Sequence, residues 1–322
     1  MGERIQLFKP WMGREEHDAL REPLETGWIG SGPKVLEFER QFAEYIGVKH
    51  AVALNAGTAA LHLAMLAAGV DGGEVLTTPM TFLSSNHCIL HAGGEPVFCD
   101  IEPDTLNLAV DGLEAAITER TRAILAVHYG GHPCDMDPIL DIAARHGLQV
   151  IEDAAQGCGG SYRNEKLGSL GDIGCFSFDA RKNLSTGDGG MLTTNDDIVA
   201  ERVQRLKWMG ISRGTWERFS TDRPSWDYGE ITELGFKYLM NDIAASLGLV
   251  QLSKLDRGNA LRRALLERYR TAFAEVEGVE LLAARTYGQS ACYCAVIQVD
   301  NRDGVHDFLS AHGIESAVHY LP

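Results

Sequence analysis

The 322-residue sequence lacks any apolar stretch long enough to cross a membrane, and its N-terminus has no apolar run followed by a small-residue cleavage site. Basic residues are scarce relative to acidic ones, with 29 Lys and Arg against 45 Asp and Glu and a formal net charge of −16. Nucleic acids and anionic membranes bind clustered basic residues, so this balance disfavours both as partners. We expect a cytoplasmic protein.

The seven cysteines are odd in number and lack the paired spacing of a zinc ribbon or a disulfide framework. They fit a reducing compartment, and we expect no metal site. Cys292 and Cys294 are two residues apart in a predicted strand. This spacing would place both on one face of the strand as small buried hydrophobes.

The length of the chain exceeds the usual limit for one hydrophobic core, which favours a large domain and a smaller one. Between residues 49 and 195, short β-branched runs alternate with helical patterns, which is typical of a mainly parallel sheet. Strands are predicted at 50–54, 74–78, 95–101, 122–128, 148–153, 174–178 and 189–194. Helices are predicted at 58–69, 83–92, 111–118 and 137–146. The pattern predicts an α/β protein with a seven-stranded sheet in a large domain, residues 1–240.

Residues 211–233 mix arginines and tryptophans with turn formers, which indicates a long surface loop. A long helix over 241–277 begins the smaller domain, residues 241–322. Its further predicted elements are strands at 279–282 and 292–299 and a helix at 305–312. Because Pro322 comes before these elements can close a core, we expect the smaller domain to be truncated.

Lys182 lies where a predicted strand runs into a polar, glycine-rich turn, in GCFSFDARKNLSTGDGG (174–190). A lysine used covalently must sit on a rigid element and be shielded enough to lose its proton. Alone, Lys182 would be interpreted as a solvated loop lysine. It is not alone, because three other predicted strands also end in residues suited to binding a ligand.

The strand at 148–153 ends in two carboxylates, Glu152 and Asp153, followed by Gln156. Side chains alternate along a strand, so only one of the two carboxylates should reach a site at this edge. An aspartate beside a pyridine nitrogen keeps that nitrogen protonated. Asp153 is therefore a candidate partner for a cofactor, although a carboxylate at a strand end is weakly specific.

The segment ALNAGTAALHLAM (53–65) is a strand, a small-residue turn and a helix whose first amides are unpaired, a geometry that attracts phosphate. Gly57 allows close backbone approach and Thr58 offers a hydroxyl; the alternative is a simple helix N-cap. Phe82 can stack on a flat heterocycle or belong to the core, and Ser177 can donate to phosphate or to backbone.

Taken in order, the motifs resemble those of the DegT/StrS group of nucleotide-sugar aminotransferases. They are NAGTAAL, TPMTF, EDAAQ, CFSFDARKNLSTGDGG and GFKYLMNDIAASLGLVQLSKLD. The resemblance implies a fold-type I enzyme dependent on pyridoxal phosphate (PLP), working as a homodimer with shared active sites. It further implies that Lys182 forms the internal aldimine and shuttles protons, and that Asp153 contacts the pyridine nitrogen.

The remaining cofactor contacts are also carried over from the resemblance. Gln156 would reach the ring hydroxyl and Phe82 would stack on the ring. The phosphate would be held by Gly57, Thr58 and Ser177, joined by Asn241 of the other subunit.

The implied reaction moves an amino group from an amino acid, usually glutamate, through PLP to a keto-sugar on a nucleotide, leaving 2-oxoglutarate. The nucleotide diphosphate is expected near Arg213, Trp216, Arg218 and Arg223 of the long loop, and His319 is a further candidate substrate contact.

Two features depart from the family pattern. The position three before the lysine is often histidine in this group and is Asp179 here, which adds negative charge near the lysine. Family members also continue well past the motif formed by His319, Tyr320 and Pro322. The alternatives are a PLP-dependent sugar dehydratase, which has histidine in place of Lys182, and a non-catalytic relative that keeps the fold.

Overall fold

The computed structural model describes residues 4–220 and 226–320. Its helices are Arg14–Ala19 (α1), Arg21–Thr26 (α2), Pro33–Ile46 (α3), Gly57–Ala67 (α4), Leu83–His91 (α5), Met136–His146 (α6), Asp197–Leu206 (α7), Thr215–Phe219 (α8), Asp242–Phe273 (α9) and Arg302–Ala311 (α10). Its strands are His50–Leu54 (β1), Glu74–Thr77 (β2), Glu95–Phe98 (β3), Thr121–Val127 (β4), Gln149–Asp153 (β5), Ser161–Tyr162 (β6), Glu165–Lys166 (β7), Ile173–Ser177 (β8), Gly190–Thr194 (β9), Val279–Leu281 (β10), Gly288–Gln289 (β11) and Ile297–Val299 (β12).

Seven strands form the central sheet in the order β1-β9-β8-β5-β4-β2-β3. β9 runs antiparallel to both of its neighbours, whereas β8, β5, β4, β2 and β3 pair in parallel. All seven predicted strands are present, each within a few residues of its expected position. The predicted α/β fold with a mainly parallel sheet is confirmed.

Apolar side chains cover both faces of this sheet. On one face, Phe38 and Phe42 of α3 share a buried cluster with residues of α6 and α9. On the other face, Leu61 of α4 and Ile89 of α5 share a second cluster with Val203 of α7. Burial on both faces explains why the strands read as continuous apolar runs rather than as alternating patterns.

Helix α9 is the longest helix and matches the prediction for this region. It begins at Asp242, and the side chain of the preceding Asn241 accepts a hydrogen bond of 2.9 Å from the Ala244 amide. Asp242 in turn caps α3, because its carboxylate accepts from the amides of Gly32, Lys34 and Val35. Across the described residues, no helix combines the length and the apolar character needed to span a bilayer.

Two short sheets accompany the main one. β10 pairs with β12, and β11 pairs with β6, which also pairs with β7. The strand predicted at 292–299 is wrong over its first half, since only Ile297–Val299 is extended in a ladder. Cys292 has a left-handed φ of 51°, and the amide of Tyr293 donates to Gly130 O. The segment is therefore hydrogen-bonded to the turn at 130–131 and does not pair with a strand. Cys292 and Cys294 therefore do not share a strand face.

The helix predicted at 111–118 is also wrong. The structure has a single 3₁₀ turn there, Glu114–Ala116, because Gly112 adopts a φ of 84° that a helix cannot accommodate. The loop predicted at 211–233 contains the short helix α8.

The fully buried carboxylate of Glu152 is hydrogen-bonded to several groups near the carboxyl end of β5. Glu152 accepts hydrogen bonds from His128 Nε2 (2.9 Å) and from the amides of Gly168, Leu170 and Gly171. The Cys134 amide donates to His128 Nδ1, which leaves the proton of the ring on Nε2, facing Glu152. Burial alone would raise the pKa of Glu152, but these hydrogen bonds outweigh it and the pKa is lowered.

We predict that Glu152→Ala lowers the free energy of unfolding by about 3–5 kcal/mol, because four donors lose a buried acceptor. Since the folded pKa of Glu152 is lowered, its contribution is present above the unfolded pKa and is lost as the pH falls through the folded value. Urea titrations from pH 7 to pH 3 should show the gap between the proteins narrowing on acidification.

The exposed Glu165 is the matched control, and Glu165→Ala should change the free energy of unfolding by less than about 0.5 kcal/mol. Equal losses for the two variants would contradict the role given to Glu152.

Candidate active site

Lys182 lies in the loop that joins β8 to β9. The base of the loop is closed by hydrogen bonds from the Phe178 amide to Gly189 O (2.8 Å) and from the Thr186 amide to Phe178 O (3.0 Å). At its tip, the amide of Lys182 donates to Asp179 O at 2.9 Å. The predicted strand end thus becomes a tight, hydrogen-bonded loop, which gives the lysine a defined backbone position.

Asn183 ties this loop to distant parts of the chain. Its Nδ2 donates to Asn259 Oδ1 (2.8 Å) and to Ala291 O (2.7 Å), and Arg262 Nη1 donates to its Oδ1 (2.5 Å). The sequence analysis missed Asn183, because partners 76 to 108 residues away leave no local signal.

The side chain of Lys182 is partly buried, and its Nζ lies 4.7 Å from the centroid of the Tyr293 ring. Burial lowers the pKa of Lys182, with Arg181 acting in the same direction and the carboxylates of Asp153 and Asp179 opposing it. A lowered pKa increases the fraction of uncharged, nucleophilic amine at neutral pH. Tyr293 was not predicted, since its segment was interpreted as an ordinary strand.

Asp153 ends β5 and is 6% exposed. Its Oδ2 accepts a 2.6 Å hydrogen bond from Ser85 Oγ, and its Oδ1 accepts a 3.1 Å hydrogen bond from the Ala155 amide. Glu152 instead faces His128, as the alternation of side chains along the strand predicts. Of the two carboxylates that end β5, Asp153 is the one that acts electrostatically on Lys182.

Gln156 and Phe82 meet at Tyr320. Gln156 Nε2 donates to the Tyr320 hydroxyl at 2.9 Å, while its Oε1 accepts from the Gly130 amide at 2.7 Å. Phe82 is 50% exposed, and its ring centroid lies 5.9 Å from that of Tyr320. Tyr320 therefore contacts both of these predicted ligand-binding side chains.

The first turn of α4 packs against the end of β8. A Cβ added at Gly57 would lie 2.7 Å from Ser177 Cβ, so only glycine permits this approach. The N-cap residue, Ala56, has no side-chain oxygen to bind the first amides of the helix, and Thr58 is exposed beside them. Gly57, Thr58 and Ser177 thus form a cradle suited to a phosphate group.

Asp179 and Arg181 form an ion pair next to Lys182, with Arg181 Nε 3.1 Å from Asp179 Oδ1. Burial would raise the pKa of Asp179, but the hydrogen bonds from Arg181 outweigh it and the pKa is lowered. Burial, aided by Arg181 and Lys182, lowers the pKa of His319. The ring of His319 lies 6.3 Å from that of Tyr293 and 4.9 Å from that of Tyr320. His319 therefore belongs to the same cluster as Lys182.

The other predicted substrate contacts lie in the long loop. Arg213 is paired with Asp227 at 2.9 Å, and Arg218 is buried with its guanidinium 4.2 Å from the Tyr228 ring centroid. The ring of Trp216 meets Trp28 edge-on at 4.8 Å. Arg223 lies outside the described residues. Asn241 is exposed at the start of α9, and its contact across a subunit interface stays a prediction.

Comparison with known proteins gives these side chains a context. The sequence pattern of the DegT/DnrJ/EryC1/StrS aminotransferase family matches residues 10–322. The spore coat polysaccharide biosynthesis protein SpsC of Bacillus subtilis is 44% identical over 321 residues, covering 97% of this chain and 82% of SpsC. GDP-perosamine synthase of Caulobacter vibrioides is 40% identical over 327 residues, covering 99% of this chain and 85% of that enzyme.

The fold agrees with the sequence. The structure of Spr1654 from Streptococcus pneumoniae in its PLP form superposes with a TM-score of 0.91 at 31% identity, covering 99% of this chain and 85% of that one. A flat, phosphorylated aldehyde such as PLP fits the groups found here, which are an amine, a carboxylate, an aromatic ring and a glycine cradle.

We predict that Gly57→Ala raises the dissociation constant for PLP about tenfold or more, equivalent to ~1.4 kcal/mol, because the new Cβ collides with Ser177. Alanine normally favours a helix over glycine, so a loss would reflect the collision and not helix propensity. Gly258→Ala is the control, since the nearest atom to a Cβ at this position in α9 is 4.0 Å away. Absorbance titration of both apo variants measures the effect, and equal affinities would rule out the cradle.

Proposed function

The chain belongs to the DegT/DnrJ/EryC1/StrS aminotransferase family, and we propose on this basis that it transfers the amino group of glutamate to a keto carbon of a nucleotide-linked sugar. PLP is its cofactor, as in the PLP-form structure that shares its fold. When bound, PLP supplies a ring that accepts electron density as a proton leaves the reacting carbon. The observation that carries the proposal is the partly buried Lys182 amine within the electrostatic reach of the buried Asp153 carboxylate.

In this proposal Lys182 has two tasks. Its Nζ holds the cofactor covalently between turnovers, which requires an uncharged amine and is favoured by its lowered pKa. The same Nζ would take a proton from one reacting carbon and return it to another when it is not holding the cofactor. The centroid of the Tyr293 ring lies 4.7 Å from Nζ, so this ring borders the amine.

The other assigned residues bind and orient. Asp153 would keep the ring nitrogen protonated, and the hydrogen bonds that it accepts from Ser85 and from the Ala155 amide fix the direction of its carboxylate. Gly57, Thr58 and Ser177 would hold the phosphate, joined by Asn241 of a second subunit. Gln156 would meet the ring hydroxyl and Phe82 would stack on the ring, and both side chains contact Tyr320.

The proposed acceptor is a sugar joined to a nucleoside diphosphate. Its support is the relative named GDP-perosamine synthase, which is 40% identical, and the cationic residues of the long loop. Arg213, Arg218 and Arg223 would approach the diphosphate, and His319 would contact the sugar. Glutamate is the proposed donor and 2-oxoglutarate the product.

We further propose a cytoplasmic homodimer with shared active sites. Large apolar side chains are exposed around the long loop, including Trp226 at 85% and Leu234 at 94%, and a subunit interface would cover them. A sugar dehydratase of the same fold would carry histidine in place of Lys182, so the lysine favours transamination.

We expect Lys182→Ala to abolish the absorption band of lysine-bound PLP and to lower kcat by at least about a thousandfold. In the proposed site, Lys182 supplies the amine that holds PLP covalently and also moves the proton. Lys182→Arg keeps a positive charge without a usable nucleophile and should lose the band equally. Lys49, which is 57% exposed at the opposite end of β1, is the control, and Lys49→Ala should retain both. Persistence of the band in Lys182→Ala would show that Lys182 is wrongly assigned.

The substrate proposal is tested by single turnovers with separate donors and acceptors. Glutamate alone should convert the PLP form to the pyridoxamine phosphate form and release one equivalent of 2-oxoglutarate. Nucleotide-linked 3-keto and 4-keto sugars should then restore the PLP form, whereas the free keto-sugars should react at least about a hundredfold more slowly, since diphosphate contacts supply binding energy. Equal rates with free and nucleotide-linked sugars would contradict the proposal that the nucleotide is recognised.

A further inference from the structure

Two buried hydroxyl groups stand in line behind Asp153. Ser85 Oγ donates to Asp153 Oδ2 at 2.6 Å, and Thr81 Oγ1 lies 2.7 Å from Ser85 Oγ. Ser85 is fully buried and Thr81 is 5% exposed. Neither residue was singled out in the sequence, where both read as ordinary positions at the start of a helix.

The chemistry of the acceptor fixes the direction of both hydrogen bonds. An ionised carboxylate only accepts, so the Ser85 hydrogen must point at Asp153. Ser85 Oγ is then left to accept, and Thr81 must donate to it. The result is a one-way chain from Thr81 through Ser85 to Asp153, in which each bond strengthens the next.

The same turn of the chain also carries Phe82. The Ser85 amide donates to Phe82 O at 3.1 Å, and α5 begins at Leu83, directly after Phe82. The hydroxyl chain therefore joins the segment that presents Phe82 to the strand end that presents Asp153. A substitution at Ser85 would therefore change the position of the Asp153 carboxylate.

We propose that Ser85, supported by Thr81, is a positioning residue that aims the Asp153 carboxylate at the ring nitrogen of the cofactor. The inference rests on the proposed function of Asp153. A donated hydrogen bond of this length stabilises the charged form of a carboxylate. With Oδ2 bound to Ser85 and Oδ1 bound to the Ala155 amide, rotation of the carboxylate is blocked, and lone pairs remain for the ring N–H.

The central experiment compares Ser85→Ala with the wild-type holoenzyme. Without the Ser85 donor, the Asp153 carboxylate would accept more strongly from the ring N–H of bound PLP, which would lessen the positive charge of the ring near the bond to Lys182. The pH midpoint of the absorbance change of lysine-bound PLP should therefore move upward. The kcat should fall about ten- to hundredfold, while KM for glutamate stays within about twofold.

Two further variants separate positioning from packing. Ser85→Thr keeps the hydroxyl and should restore the wild-type pH midpoint, and Thr81→Val removes only the outer donor and should shift the midpoint in the same direction by a smaller amount. Ser84→Ala, at the partly exposed neighbour on α5, is the control and should leave the midpoint unchanged. Melting temperatures of the apo proteins report any loss of folding separately.

A lower melting temperature for Ser85→Ala with an unchanged pH midpoint and kcat would overturn the inference, since Ser85 would then only fill space. In that case the wild-type band and its loss in Lys182→Ala would still stand, and the proposed function with them. Retention of the absorption band of lysine-bound PLP in Lys182→Ala would instead contradict the proposed function.

Discussion

The first turn of α4 lies against the end of β8 with no side chain between them, because a Cβ at Gly57 would fall 2.7 Å from Ser177 Cβ. This contact depends on the strand order, in which β9 alone separates β1 from β8. Since β1 leads into α4 and β8 leads into the Lys182 loop, the uncapped helix amides and the lysine reach the same edge of the sheet. The site therefore follows from one glycine and one strand arrangement.

Burial and charge oppose each other throughout this edge. Burial would favour the neutral forms of Asp179, Glu152 and Lys182, yet hydrogen bonds from Arg181 and from the turn at 168–171 hold the two carboxylates ionised. Of these three groups, burial prevails only for Lys182, whose pKa Arg181 also lowers and whose Nζ lies 4.7 Å from the centroid of the Tyr293 ring. The balance yields ionised carboxylates beside an amine that loses its proton readily, as covalent attachment to an aldehyde requires.

Local signals predicted the sheet and the positions of its strand ends, because each strand is a short run rich in apolar or β-branched residues, and every strand of this sheet except β3 is mostly buried. Helix α3 carried an equally clear signal, with Pro33 at its start and buried Phe38 and Phe42 four residues apart, and it was overlooked. Tyr293, Ser85 and Asn183 could not be predicted, since their roles depend on contacts between segments far apart in sequence. The strand predicted at 292–299 was wrong over its first half for the same reason. The apolar pattern near Cys292 resembled a strand, but the hydrogen bonds of this segment go to the turn at 130–131.

The departure from the family pattern at Asp179 has a smaller electrostatic effect than the sequence suggested. Arg181 pairs with Asp179 at 3.1 Å, and the two act on the pKa of Lys182 in opposite directions. The pair therefore presents little net charge to a ligand, although it differs from a histidine in shape and in the donors and acceptors it offers. Asp153 and Ser177 lie at strand ends fixed by the sheet, whereas Asp179, Arg181 and the long loop lie on connecting segments, where a different side chain disturbs the packing of the sheet less. Selectivity among sugars is thus expected to reside in these segments, and catalytic competence in the sheet edge.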